Sequence, residues 1–214
     1  MRKLPIYILI DTSGSMRGEP IEAVKAGLQS LFSGLKRDPH ALESVQICVI
    51  TFDREAKVIL PMSELDNLRM PVIPPLESSP TNMGEALELM CQLYSKDVVK
   101  TSPTAKGDWL PLAVVMTDGS PSDTGLFNVM CEKLSSPSSI YRFARIIGCA
   151  AGPKAKTEPL KRFSTDVVSL ETMDSNSFAK FWAWVSQSFT KHSQGTDMAM
   201  DELPPPPVEI KIAI

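Results

Sequence analysis

The sequence predicts an α/β fold: a doubly wound, mostly parallel sheet with one antiparallel edge strand and helices on both faces. Three observations point there. Apolar runs bounded by turn residues recur as continuous rather than alternating stretches, which marks strands covered on both faces. Apolar stripes at helical spacing fill the intervals between those runs. One pair of runs is separated only by Asp53-Arg54-Glu55, too little chain for a crossover, so that pair forms an antiparallel hairpin.

In chain order, Leu4–Ile10 reads as the first strand. Its apolar run behind Arg2 and Lys3 resembles a signal peptide, but it is short, contains Pro5 and leads into Asp11 instead of a small-residue cleavage site. Ile21, Val24, Leu28, Leu31 and Leu35 line one face of a helix, followed by the strand Val45–Phe52 and its hairpin partner Ala56–Leu60. Pro71, Pro74, Pro75 and Pro80 stiffen a loop that leads to Thr81, and Leu87, Met90, Cys91 and Tyr94 stripe the next helix. Pro103 and Gly107 mark another loop before the strands Leu112–Met116 and Arg145–Ala150. Phe178, Phe181, Trp182, Val185 and Phe189 stripe a late helix. All three stripes read as core. The domain spans residues 1–191. Residues 192–214 form a tail with Pro204–Pro207 as a polyproline II spacer. In it Val208, Ile210, Ile212 and Ile214 alternate with period two, so the end is strand-capable and its apolar face needs cover from an open sheet edge, its own or a neighbour's. Deleting Pro204 onward is expected to change the oligomeric state or lower thermal stability.

At 214 residues with 43% hydrophobic and 22% charged residues, the chain can bury one sizeable core. Lys plus Arg number 22 against 25 Asp plus Glu, without a basic run, which excludes a nucleic-acid partner. Cys48, Cys91, Cys131 and Cys149 are widely spaced and lie mostly in apolar runs, as buried reduced thiols of a cytoplasmic protein do. Beyond the first strand, no apolar stretch approaches a membrane-spanning length, so direct membrane insertion is not expected.

The chemistry concentrates at strand ends. The first strand runs into Asp11-Thr12-Ser13-Gly14-Ser15, and the Leu112 strand ends in Thr117-Asp118-Gly119-Ser120. Thr81-Asn82-Met83-Gly84 opens the helix between them. In a doubly wound sheet ligands collect at the carboxyl ends of the strands, so Asp11, Ser13, Ser15, Thr81 and Asp118 share one edge. Two carboxylates and three hydroxyls, with no His or Cys near, suit one hard divalent cation: Mg²⁺ first, Mn²⁺ or Ca²⁺ also, zinc not. Taken alone, Asp11, Ser13 and Ser15 read equally well as turn and helix caps. Asp53, Asp108 and Asp123 read as solvated loop residues near that edge, and Trp109 as a packing anchor or an exposed indole for a partner. His40 and His192 have no ligand partner at useful spacing.

Asp-x-Ser-x-Ser after the first strand, a Thr in a second loop and Thr-Asp-Gly after a later strand resemble the metal-ion-dependent adhesion site (MIDAS) of von Willebrand factor A (VWA) domains, whose fold is Rossmann-like. That resemblance implies Asp11, Ser13, Ser15, Thr81 and Asp118 as the ligand set, the hydroxyls direct and the aspartates often through water. It also implies a partner protein that supplies an Asp or Glu to the cation. Residues 2–24, Ile50–Asp53, Lys106–Trp109 and the proline tail further resemble the TerY-type proteins of bacterial tellurite-resistance and stress operons. Partners would then be other stress-operon proteins, among them membrane-associated ones and kinase or phosphatase modules. Thr81-Asn82-Met83-Gly84 departs from the Thr-Ser-Leu-Gly usual there but keeps the hydroxyl.

Catalytic readings lack parts. There is no Gly-x-Gly-x-x-Gly or Gly-Lys-Ser/Thr phosphate cradle, and no base stands with a Ser or Cys nucleophile. A metal-dependent phosphatase with Asp11 as nucleophile is the enzymatic alternative, but its acid position two residues on is Ser13, which cannot protonate a leaving group at neutral pH. A metal-free scaffold that uses the same loops as caps is the third reading.

Overall fold

The computed structural model describes residues 2–73, 80–172, 174–193, 207 and 210–212. Its elements are β1 (Leu4–Asp11), α1 (Glu19–Leu35), α2 (Pro39–Ser44), β2 (Val45–Phe52), β3 (Ala56–Glu64), α3 (Met83–Asp97), β4 (Leu112–Thr117), α4 (Thr124–Ser135), β5 (Arg145–Ala151), α5 (Glu158–Lys161), β6 (Asp166–Leu170), α6 (Ser175–Ser193) and β7 (Ile210–Ile212).

The strands stand in the order β3-β2-β1-β4-β5-β6-β7. β1 pairs in parallel with both β2 and β4, so the chain winds outward in one direction from β1 and in the other from β4. The carboxyl ends of these two strands therefore flank the switch point, where an open α/β sheet leaves a crevice. β3 is the expected antiparallel edge. The tail adds a second antiparallel edge of its own, with Ile210 opposite Leu170 and Ile212 opposite Val168. Pro74, Pro75, Pro204–Pro206, Val208 and Ile214 lie outside the described residues.

Alternation along β1 divides the core. Leu4, Ile6, Ile8 and Ile10 face α1, α2 and α6, while Tyr7 and Leu9 face α3, α4 and α5. Both layers are closed, because every residue of β1 and β4 is buried. The three helical stripes are all buried in these layers. Each large apolar side chain so covered contributes about 1.5–3 kcal/mol. The four cysteines are free and buried. No helix among the described residues is long and apolar enough to cross a membrane.

Two expectations fail on topology. Asp108 and Trp109 precede β4, so they sit at the amino edge of the sheet, away from the carboxyl edge. Trp109 N–H donates to the Lys3 carbonyl at 2.8 Å, the Arg2 guanidinium lies 3.6 Å over the indole, and Asp108 accepts from the Lys3 and Val99 amides. Trp109 is thus an anchor for the start of β1. His192 lies in the last turn of α6.

Candidate metal centre

β1 delivers Asp11 to the carboxyl edge fully buried, and the chain then turns through a 3-10 segment, Gly14–Met16. Gly18, at φ +87, makes the reversal into α1 that a side chain would strain, and Pro20 starts the helix behind it. β4 delivers Thr117 and Asp118 from the adjacent strand. Thr81 arrives from the loop that enters α3.

The hydrogen bonds show how closely these groups meet. Asp11 Oδ1 accepts the Ser13 amide at 2.8 Å, and Asp11 Oδ2 accepts the Thr117 hydroxyl at 2.6 Å. The Ser13 and Ser15 hydroxyl oxygens are 3.2 Å apart, and Ser15 donates to Asp118 Oδ1 at 2.9 Å. A Cβ placed on Gly119 would stand 3.2 Å from the Thr81 hydroxyl oxygen and 3.9 Å from Asp11 Oδ2, so one point beside Gly119 is close to both. All five residues singled out in the sequence thus come to one edge. Asp11 forms the floor, and Ser15 is exposed at the rim.

Burial pushes the Asp11 carboxyl up to about 6, against the opposing pull of the Thr117 and Ser13 hydrogen bonds and with the nearby Asp118 charge adding to the rise. Asp118 is also raised, again chiefly by burial. A buried and a half-buried carboxylate on one site are a poor arrangement for a plain turn, because the charge of Asp118 disfavours that of Asp11. Ser13 makes no side-chain capping bond to the 3-10 turn that follows it. Among the described residues no three His, Cys, Asp or Glu side chains gather as a metal cluster, which a site of two carboxylates and three hydroxyls does not require. That donor set fits a hard dication with water completing its shell.

Four supporting residues were missed or undervalued in the sequence. Thr117 spends its hydroxyl on Asp11 and accepts the Gly119 amide at 3.0 Å, so it orients the floor carboxylate and the loop of Asp118 together. Asp53 accepts the Thr12 hydroxyl at 3.1 Å and, through its carbonyl, the Asn82 amide at 2.8 Å, which ties the β2–β3 hairpin to both ligand loops. Ser122 accepts the Thr81 amide at 3.0 Å and donates its own amide to the Thr81 carbonyl at 2.8 Å. Asp123 stands at the N-cap of α4 but caps α3 instead, accepting the Gly84 and Glu85 amides at 3.0 and 2.8 Å. Asp53 and Asp123 are therefore braces and not merely solvated loop residues. The signal for them was an Asp just before each helix or turn, which does not say whose amides it caps. Asp123→Ala is expected to cost about 1–2 kcal/mol in chemical denaturation, the usual loss for a helix cap, and to loosen Thr81 with it.

Comparison with known proteins gives a consistent picture. The family model described as von Willebrand factor type A domain matches residues 6–181. An uncharacterised protein of Synechocystis sp. is 27% identical over 143 residues, which cover 66% of this chain and 31% of that protein. Proximal thread matrix protein 1 from the mussel byssus is similar in structure, with a TM-score of 0.67 at 16% identity over 87% of this chain and 48% of that one. A second structure of that protein, described as having a zinc-occupied MIDAS motif, gives 0.63 at 14% identity over 87% and 48%. At these identities the structural likeness speaks for the fold. This chain spans under a third of the curated relative and about half of the byssus protein.

Proposed function

This chain belongs to the von Willebrand factor type A family, and from that premise we propose that it is a metal-dependent protein-interaction module, not an enzyme. Residues 1–191 form the binding domain and residues 192–214 its tail. Asp11, Ser13, Ser15, Thr81 and Asp118 hold one divalent cation, which supplies an open coordination position for a carboxylate of a partner protein. The observation that carries this reading is the convergence of five side-chain oxygens at the β1–β4 switch point, with the Ser13 hydroxyl left out of capping.

The protein's own part is positioning. Thr117 and the Ser13 amide fix the Asp11 carboxylate before any ligand arrives. Three of the five ligands are neutral hydroxyls, so the site keeps an affinity for an incoming acidic group. One such contact orients a complex, and the surrounding rim supplies most of the affinity. At this edge the exposed rim residues include Arg17, Arg54 and Ser120; Trp109 has no part in it. The partner protein presents an Asp or Glu, and the sequence resemblance points to other proteins of a cytoplasmic tellurite-resistance or stress-response system. Magnesium is the expected cation, with manganese and calcium as alternatives. The zinc-occupied motif of the byssus protein puts zinc in the panel to be tried.

The test is affinity capture from the native host on the wild-type chain and on Ser13→Ala/Ser15→Ala, each with magnesium and with chelator. A partner retained only by the wild type in magnesium is expected. Equal retention in all four arms would favour the metal-free scaffold, and magnesium-dependent turnover of a generic phosphate ester would favour the phosphatase.

A further inference from the structure

The two edges of the sheet are protected in different ways. β3 carries Pro61, two register shifts against β2 and the Lys57–Glu55 ion pair, devices that keep an edge from accepting another strand. β6 has no proline and no register shift, and its ion pair, Asp166 with Arg145, is made to the neighbouring strand β5. Its Val168 and Leu170 are buried, its register against β5 is regular, and its outer side is paired, among the described residues, with β7 alone.

That cover is slight. β7 offers three residue pairs, one buried side chain in Ile210, and an ion pair between Lys211 and Glu171 whose side chains are both 65% exposed. A surface pair of that kind adds little. Ile212 remains 54% exposed although it points to the same face as Ile210. β7 stands at the edge of the strand order and among the described residues pairs only with β6, so its departure breaks no other pairing there.

Topology makes a second acceptor as reachable as the first. β6 runs to the carboxyl edge, so α6 returns from it to the amino edge, about 28 Å away for a 19-residue helix. β7 is antiparallel to β6 and enters beside Leu170, back at the carboxyl edge. Residues 194–209 must therefore span the full height of the sheet to place the strand on its own body, and they include all four of the consecutive prolines Pro204–Pro207.

From these features we infer that β7 is an exchangeable strand, and that the β6 edge is a strand-acceptor site filled by the Pro207–Ile212 segment of a second copy of this chain. The exchanged dimer keeps Ile210 against the core and Lys211 beside Glu171, because the same residues meet across two chains. Only the freedom of two bodies is lost, which concentration repays. The inference does not depend on the metal centre.

The test uses the full chain carrying Ser169→Cys and Lys211→Cys, which face each other in the β6–β7 register. Cys48 and Cys91 are buried with thiols pushed up to about 12, and Cys131 and Cys149 are buried as well, so the native cysteines stay inert under mild oxidation. On a non-reducing denaturing gel, a dimer doubly bridged between 169 and 211 is expected, its share rising with protein concentration and absent from either single variant. Bridges only within one chain at every concentration would overturn the inference, and so would no 169–211 bridge at all. A second variant, lacking residues 195–204, leaves about 20 Å of extended connection, less than the about 28 Å that α6 runs between the two edges. Light scattering should find it dimeric; a monomer of lowered Tm would overturn the inference equally.

Discussion

Thermal unfolding of Asp11→Asn is expected to be the same in magnesium and in chelator, whereas the wild-type chain gains about 5–10 °C from the metal. The size follows from binding to the native state alone: a ligand at a hundred times its Kd stabilises by about 2.7 kcal/mol, and each kcal/mol moves the Tm of a domain this size by about 2–4 °C. In chelator the order reverses. The Asp11 carboxyl titrates at about 6 in the folded chain against an ordinary 3.8, because burial disfavours its charge. A carboxyl raised in this way gives stability that is full below 3.8 and lost as pH climbs through 6, so the cation-free wild type should weaken across that window. At pH 7 the loss is up to about 3 kcal/mol, and Asp11→Asn avoids it. In chelator at neutral pH the variant is therefore expected to be at least as stable as the wild type. Differential scanning calorimetry in both buffers checks this; a variant that still responds to magnesium would remove Asp11 from the site.

The second large effect is in the core. Gly27 of α1 faces the indole of Trp182 on α6, and a Cβ there would stand 2.0 Å from Cδ1. Trp182 is fully buried, so the ring has no free space to yield into. Gly27→Ala gains about 1 kcal/mol of helix propensity but must separate α1 from α6. A net loss of about 2–3 kcal/mol is expected in urea denaturation, in the range of overpacked cores. Trp182→Leu in the Gly27→Ala background should recover part of it, a coupling that two independent sites would not show. A neutral Gly27→Ala would mean that the helices are not in contact as described.

How much of this was legible in the sequence depends on the kind of signal. β1, β2, β4 and β5 are continuous apolar runs, and such runs read directly as strands covered by helices. β6, Asp166–Leu170, is short and holds a serine, so it lacks that signature and is fixed by its pairing with β5. α4 escaped for a similar reason: with only Phe127, Met130 and Cys131 buried, its stripe is thin. The five candidate ligands were readable because each follows a strand or precedes a helix at the switch point. Trp109 was misplaced because closeness to β4 in sequence does not say which end of β4 it joins, and only the bond to Lys3 decides that. The Asp123 brace was hidden because a capping carboxylate can serve a neighbouring helix as readily as its own.

The sharing of Asp123 has a mechanical consequence. One carboxylate and Ser122 fasten the start of α3 to the loop that follows β4, so Thr81 and Asp118 are held as one unit, which Thr117 and Ser15 tie in turn to Asp11 of β1 and to Ser13. A push on either α3 or α4 therefore reaches both ligands of that unit at once and, through Thr117, the floor carboxylate as well. The grip on an ion is then open to change by a mutation on α3 or α4, remote from the edge, as well as by one within it.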